Sequence, residues 1–204
     1  EYKKIKVNIN ELPKIIQQMK EKKIDGINVT IPYKKNIMHY LDDVNTRAKS
    51  IGAVNCLMRA DSKIIGNNTD WYGFTMSMKK NNIDLTNKEI VVLGAGGAAQ
   101  SIIFSLKQMG VKKIDILNRT LENALPLQNN YISVYNMHEA ARVIKPTSII
   151  INTTSVGMHN NESPIDYKLI NQNQIIIDII YTPLQSRLLQ LGEKIGAFTL
   201  NGLD

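Results

Sequence analysis

The stretch IVVLGAGGAAQ at residues 90–100 constrains this chain more than any other. Ile90, Val91, Val92 and Leu93 lead directly into Gly94, Gly96 and Ala99. That spacing, G-x-G-x-x-A, reads as a strand, a tight turn and the start of a helix. In such a turn the first glycine lets the chain reverse and the second lets the backbone approach a pyrophosphate. The third small residue lets helix and strand pack closely. The helix begins near Gly97, and its unpaired N–H groups and positive dipole end face the phosphates. Residues 98–109 carry apolar side chains at helical spacing and close at Gly110, a C-cap signal. This context favours a dinucleotide site over a plain turn with no ligand.

The following strand bears on which nucleotide. Residues 113–117 (KIDIL) should lie beside the first strand, and an NAD site would place an Asp or Glu at its end for the ribose 2′-hydroxyl. Asn118, Arg119 and Thr120 stand there instead. A carboxylate would repel a 2′-phosphate, whereas a guanidinium binds one through paired charge-assisted hydrogen bonds. Taken alone, Arg119 reads almost equally well as a surface cation before a helix capped by Thr120. Joined to the glycine turn at the expected distance, it points to NADP.

Composition narrows the remaining classes. A chain of 204 residues suffices for one large domain or two small ones, each with a hydrophobic core. No apolar run approaches bilayer length, and the segment EYKKIKVNIN lacks the apolar centre of a signal peptide, so a cytoplasmic protein with no membrane partner is expected. Cys56 is the only cysteine, which rules out an internal disulfide, and His39, His138 and His159 share no ligand spacing, so no metal site is expected. The net charge of +7 comes mainly from scattered lysines such as Lys20, Lys22, Lys23, Lys79 and Lys80. They read as solvated faces, and without a basic stripe or interleaved aromatics no nucleic-acid partner is expected.

Along the chain, residues 10–22 form an amphipathic helix with Asn10 as candidate N-cap and Leu12, Ile15, Ile16 and Met19 on one face. Residues 26–31 read as a strand stopped by Pro32, and 33–41 as a short helix, which puts Lys34 at a strand-to-helix turn. Two further strands are expected at 53–58, containing Asn55, and 63–67, followed by Asp70 and a helix over 71–80. The polar segment 81–88 reads as a linker, giving a domain at 1–82 and another at 83–204. From 89 onward, strands at 89–93, 113–117, 132–135, 148–152, 175–180 and 197–200 alternate with helical segments, one of them at 184–194 after Pro183. The uniformly apolar runs 149–151 and 175–177 suit strands covered on both faces, hence a doubly wound parallel sheet.

A nicotinamide-dependent reduction asks the protein for position and a proton. Lys34 is a candidate donor and Asp70 its natural partner, both at strand ends of the smaller domain, where they would face the cleft that the nucleotide domain closes. Spacing alone favours plainer roles: Asp70 as the N-cap of the next helix, and Lys34 as a solvated lysine like its neighbour Lys35.

GINVTIPYKK (26–35), IGAVNCL (51–57), GNNTDWYG (66–73), VLGAGGAAQ (92–100), NRT (118–120), NTTSVGM (152–158) and DIIYTPLQSRLL (178–189) together resemble the shikimate dehydrogenase family. These blocks span nearly the whole chain in order. The resemblance implies a small α/β substrate domain followed by a Rossmann-like NADP-binding domain. It implies reversible reduction of 3-dehydroshikimate to shikimate with NADP(H), in aromatic amino acid biosynthesis. It makes Lys34 the catalytic acid/base and Asp70 its partner at the substrate hydroxyls, with Thr30, Asn55 and Tyr181 as substrate contacts. Gly94, Ala95, Gly96, Gly97 and Ala98 would cradle the pyrophosphate, and Asn118, Arg119 and Thr120 the 2′-phosphate end. Thr153, Thr154 and Ser155 would line the cofactor cleft, with Gly202 near the nicotinamide amide. A monomer or homodimer is expected.

Departures accompany these matches. The family's Ser-x-Ser motif, which grips the substrate carboxylate, is expected before residue 1, and its substrate-binding Gln and return helix beyond residue 204. Asn123 stands about where a second cation is frequent, leaving Arg119 as the main 2′-phosphate cation. The alternatives are an NAD-dependent quinate/shikimate dehydrogenase and a catalytically silent metabolite-binding module of the same fold.

Overall fold

A computed structural model describes residues 1–203. The chain divides into two compact units, Glu1–Gly73 and Phe74–Asp204. The division precedes the boundary expected near residue 83, for a packing reason. Helix α3 (Asp70–Lys80) inserts Phe74 and Met78 into the core of the second unit, where they are 7% and 1% exposed. The polar segment that follows is therefore internal to that unit.

The first unit is a four-stranded sheet with a helix packed on it. Its strands are β1 (Gly26–Asn28), β2 (Asp43–Val44), β3 (Cys56–Ala60) and β4 (Lys63–Asn67), in the order β1-β3-β4-β2. Helix α1 (Leu12–Lys20) buries Leu12, Ile16 and Met19 against Leu57 and Ile64 of the sheet. Each such buried side chain contributes about 1.5–3 kcal/mol relative to exposure. The expected helix start at Asn10 moves. A 3-10 turn, Ile9–Glu11, comes first, and Glu11 reaches back to the Asn8 N–H at 2.7 Å. The expected helix over 33–41 contracts to a 3-10 helix, Asn36–Tyr40. Strand β2 and helix α2 (Thr46–Ile51) went unforeseen, although α2 carries both end signals. Asn45 accepts the Arg47 N–H at 3.0 Å, and Gly52 closes the helix with φ +74°.

The second unit contains a six-stranded, all-parallel sheet. Its strands are β5 (Glu89–Leu93), β6 (Lys113–Asn118), β7 (Ile132–Asn136), β8 (Ile149–Asn152), β9 (Ile175–Asp178) and β10 (Phe198–Leu200). The order β10-β9-β8-β5-β6-β7 is that of a doubly wound fold whose switch point lies between β5 and β8. Alternate residues feed two cores, as the apolar runs require. Val92, Ile116 and Ile151 join Ile102 and Leu106 of helix α4 (Gly97–Gln108) on one face. Val91, Leu93, Leu117 and Ile150 meet α5 (Ala140–Val143) and α6 (Arg187–Ile195) on the other. Helix α6 starts at Arg187, not at 184, because Ser186 is its N-cap and accepts the Leu189 N–H at 3.5 Å. Thr120 precedes only a 3-10 turn, Leu121–Asn123.

Candidate functional site

In the first unit, three residues far apart in sequence meet through backbone bonds that join their segments. The Val54 N–H donates to the Lys34 carbonyl at 2.8 Å, and the Asn55 N–H to the Asn67 carbonyl at 3.0 Å. Asn55 thus lies just ahead of β3, not inside the strand expected at 53–58. Asp70 is the first residue of α3, so its carboxylate is carried at the helix start. Lys34 Nζ sits 2.7 Å from Asp70 Oδ2, and Asn55 Nδ2 donates to Asp70 Oδ1 at 2.6 Å. The Lys34 and Asp70 side chains are 14% and 27% exposed, screened from bulk water yet reachable. A helix N-terminus favours the anion, and the ion pair fixes the ammonium in one direction.

Two supports of this cluster had not been singled out from the sequence. Thr69 donates its N–H to Asn55 Oδ1 at 2.9 Å, which fixes the amide with its NH2 group toward Asp70. Asn68 is 2% exposed; it donates to the Ala53 carbonyl at 2.9 Å and accepts the Asp70 N–H at 3.1 Å. Their only sequence signal is a polar run, NNT, at the expected helix start. Lys35 is not the solvated lysine expected: it is half-buried, and desolvation pushes its ammonium below the ordinary lysine range. Thr30 is exposed in the turn before Lys34.

In the second unit the glycine turn follows β5 as expected. Gly94 has φ +103°, and a side chain there would stand 2.9 Å from Thr153 Oγ1. Gly96 is the N-cap of α4 with no side-chain cap, and a Cβ placed on it would meet nothing within 4 Å. Among the described residues no side chain caps the helix start, which leaves its first-turn N–H groups without a side-chain acceptor. Ala95 and Ala98 are buried and Gly97 half-buried. Thr153 is buried, with its hydroxyl donating to the Leu93 carbonyl at 2.7 Å, so it braces the turn. At the end of β6, Asn118 donates to the Thr120 carbonyl at 2.7 Å, and the exposed Arg119 is held by its own carbonyl, 3.4 Å from Asn136 Nδ2.

Comparison with known proteins fits this arrangement. The family model for the shikimate dehydrogenase substrate binding domain matches residues 1–57, and that for shikimate / quinate 5-dehydrogenase matches residues 76–181. A shikimate dehydrogenase (NADP(+)) of Alkaliphilus oremlandii is 38% identical over 206 residues, covering 95% of this chain and 72% of the relative.

The chain belongs to the shikimate dehydrogenase family.

Solved structures of the family share the fold. Shikimate dehydrogenase 1 from Peptoclostridium difficile superposes with a TM-score of 0.86 at 33% identity, over 98% of this chain and 73% of that one. A Thermus thermophilus shikimate 5-dehydrogenase, solved with NADP(H) and shikimate, gives 0.83 at 29% identity, over 97% and 74%. The Rossmann-like expectation for the second unit therefore holds. The residues present also fit a dinucleotide: the bare α4 start is a phosphate-binding feature, and filling it with a Cβ would remove space without relieving any contact.

Polar residues at two strand ends complete the second unit's site region. Asp178 is fully buried at the end of β9, where its carboxylate accepts from Asn152 Nδ2 at 3.0 Å, the Ile180 N–H at 3.0 Å and Ser186 Oγ at 2.6 Å. Burial pushes this carboxyl above the usual range, against the lowering effect of those donors. Asn152 in turn accepts from the Thr154 N–H at 3.0 Å and hydroxyl at 2.8 Å. A single polar residue closing each apolar run, IIIN and IIID, was the available signal. Tyr181 and Ser155 are exposed, and Thr154 is half-buried. Gly202 has no room for a side chain, since a Cβ would fall on the Ile179 carbonyl oxygen. Among the described residues no three His, Cys, Asp or Glu side chains could hold a metal ion, and no helix is long and apolar enough to cross a membrane.

Proposed function

We propose that this chain catalyses the reversible NADP-dependent reduction of 3-dehydroshikimate to shikimate, a step toward aromatic amino acids. The observation that carries the proposal is the Lys34–Asp70 pair, 2.7 Å apart and tied to Asn55, in a chain of this family. Bound NADPH supplies the hydride for the 3-keto carbon. Lys34 Nζ gives the carbonyl oxygen a proton as the C=O bond becomes C–OH, and in reverse the neutral amine takes that proton from the hydroxyl. Asp70 keeps the ammonium aimed, and its spare lone pairs accept from substrate hydroxyls. Asn55 orients Asp70 and, with Thr30 and Tyr181, adds polar contacts to substrate.

In the second unit, Gly94, Ala95, Gly96, Gly97 and Ala98 cradle the pyrophosphate at the start of α4, and Asn118, Arg119 and Thr120 bind the 2′-phosphate. Thr153, Thr154 and Ser155 line the cofactor cleft, with Gly202 near the nicotinamide amide. The first unit is thus the substrate domain and the second the cofactor domain. We place the enzyme in the cytoplasm, where reduced nicotinamide supports biosynthesis, as a monomer or homodimer.

The test follows NADPH absorbance at 340 nm with 3-dehydroshikimate. Wild type should turn over, and Lys34→Ala should lower kcat by about 10²–10⁴-fold while NADPH affinity stays near wild type. Near-normal turnover by Lys34→Ala would remove the lysine from the mechanism.

A further inference from the structure

We propose that Asp178 is a positioning residue for this reaction, its buried carboxylate holding the segments after β8 and β9 in one arrangement and thereby setting Thr154, Tyr181 and Gly202. The inference rests on the reading of the previous section.

The geometry is specific. Asp178 Oδ1 accepts from Asn152 Nδ2 and from the Ile180 N–H, both at 3.0 Å, and Oδ2 accepts from Ser186 Oγ at 2.6 Å. One carboxylate thus ties the end of β8, the segment carrying Tyr181 and the N-cap of α6. A carboxylate only accepts, so Asn152 must present its NH2 group to it. That orientation turns Asn152 Oδ1 toward Thr154, where it accepts both the N–H and the hydroxyl. Removing the acceptor frees the amide to flip, and the Thr154 hydroxyl loses its fixed partner.

The two segments also pack on each other and on a third. A Cβ at Gly157, where φ is +96°, would stand 3.5 Å from Ser186 Cβ and 3.8 Å from Ile180 Cδ1. Gly202 donates its N–H to the Ile180 carbonyl at 3.1 Å and lies against Ile179. Residues from three stretches of chain therefore take their positions from a backbone that Asp178 anchors. Its partners are neutral, and Asp178, Asn152 and Ser186 are at most 1% exposed, an expensive arrangement to keep for packing alone.

An amide can replace this carboxylate with little change of shape. Its oxygen would take the Asn152 and Ile180 donors, and its NH2 group would face the Ser186 hydroxyl, which has lone pairs to accept it. The closing experiment compares wild type, Asp178→Ala, Asp178→Asn and Ser186→Ala in the full chain. It combines steady-state kinetics with hydrogen exchange read by mass spectrometry. Asp178→Ala should lower kcat at least tenfold, raise KM for NADPH, and speed exchange in both 152–157 and 179–186. Asp178→Asn should restore all three to within threefold of wild type. Ser186→Ala should shift them in the Ala direction by a smaller factor, and this variant decides the matter should Asp178→Ala not fold. A folded Asp178→Ala with kinetics within twofold of wild type, an Asn variant as impaired as Ala, or Ser186→Ala equal to wild type would overturn the proposal. Absence of turnover by wild type itself sinks the functional reading and with it the role in this reaction, while the exchange pattern separately judges whether Asp178 holds the two segments.

Discussion

Arg119 and Asn68 show how much a single side chain's role depends on what surrounds it. Arg119 is exposed, with its backbone held through Asn136, so its guanidinium is available to a 2′-phosphate. Arg119→Gln should raise KM for NADPH about tenfold or more, the weight of a hydrogen bond to a charged group, and leave that for NADH nearly unchanged. Kinetics with both cofactors check this, and equal kcat/KM for the two in wild type would contradict the NADP assignment. Asn68 is the opposite kind of residue, buried and bonded at both ends. Asn68→Ala should destabilise the protein by about 1–3 kcal/mol in urea unfolding and lower kcat, because it leaves the Ala53 carbonyl unpaired and loosens the start of α3. The Lys34–Asp70 couple was legible as residue types and through the family resemblance. Their support by Asn68 and Thr69 was not, since an amide inside NNTD looks the same in sequence whether it faces solvent or a buried carbonyl.

The β5–α4 turn separates fold from binding within three residues. Gly94 needs positive φ and has Thr153 beside it, whereas Gly96 has extended backbone and open space. Gly94→Ala should therefore destabilise the protein by about 1–3 kcal/mol. Gly96→Ala should leave the melting temperature nearly unchanged yet weaken NADPH binding, because the added methyl occupies the approach to the α4 N–H groups. Thermal unfolding beside a fluorescence titration distinguishes the two. At the end of β9, Asp178 gives a pH dependence of definite sign. Its folded-state carboxyl is raised from 3.8, so the contribution to stability is present below the ordinary carboxylate range and is lost as pH rises through the raised value. Asp178→Asn carries no such loss. The melting temperature of Asp178→Asn relative to wild type should increase from pH 4 toward pH 8. Strands with uniform apolar runs were legible because burial on both faces leaves no other pattern. Strand β2, two residues long, offers no period to detect, and the expected helix at 33–41 shortened to a 3-10 segment in which Ile37 is buried and Met38 partly so.

At the scale of the whole chain, ligand effects should separate by unit. NADPH should slow hydrogen exchange at 94–98 and 118–120, shikimate at 30–34, 55 and 70. A ligand at a hundred times its Kd adds about 2.7 kcal/mol to the stability of the folded protein that binds it. Protection by NADPH confined to the first unit would contradict the assignment of the two. The sequence by itself determined the parallel nucleotide-binding fold, because β-branched runs, glycine spacing and helix-end signals are local and each admits few conformations. It also named the candidate chemistry, since only certain side chains move protons or bind phosphate. Tertiary structure alone decided that α3 buries Phe74 and Met78 in the second unit's core, and that Asp70, Asn55 and Lys34 touch. The buried contacts that join Asn152, Asp178 and Ser186 were likewise settled only there. Such facts depend on which distant groups fill the same space, and no short-range pattern encodes that.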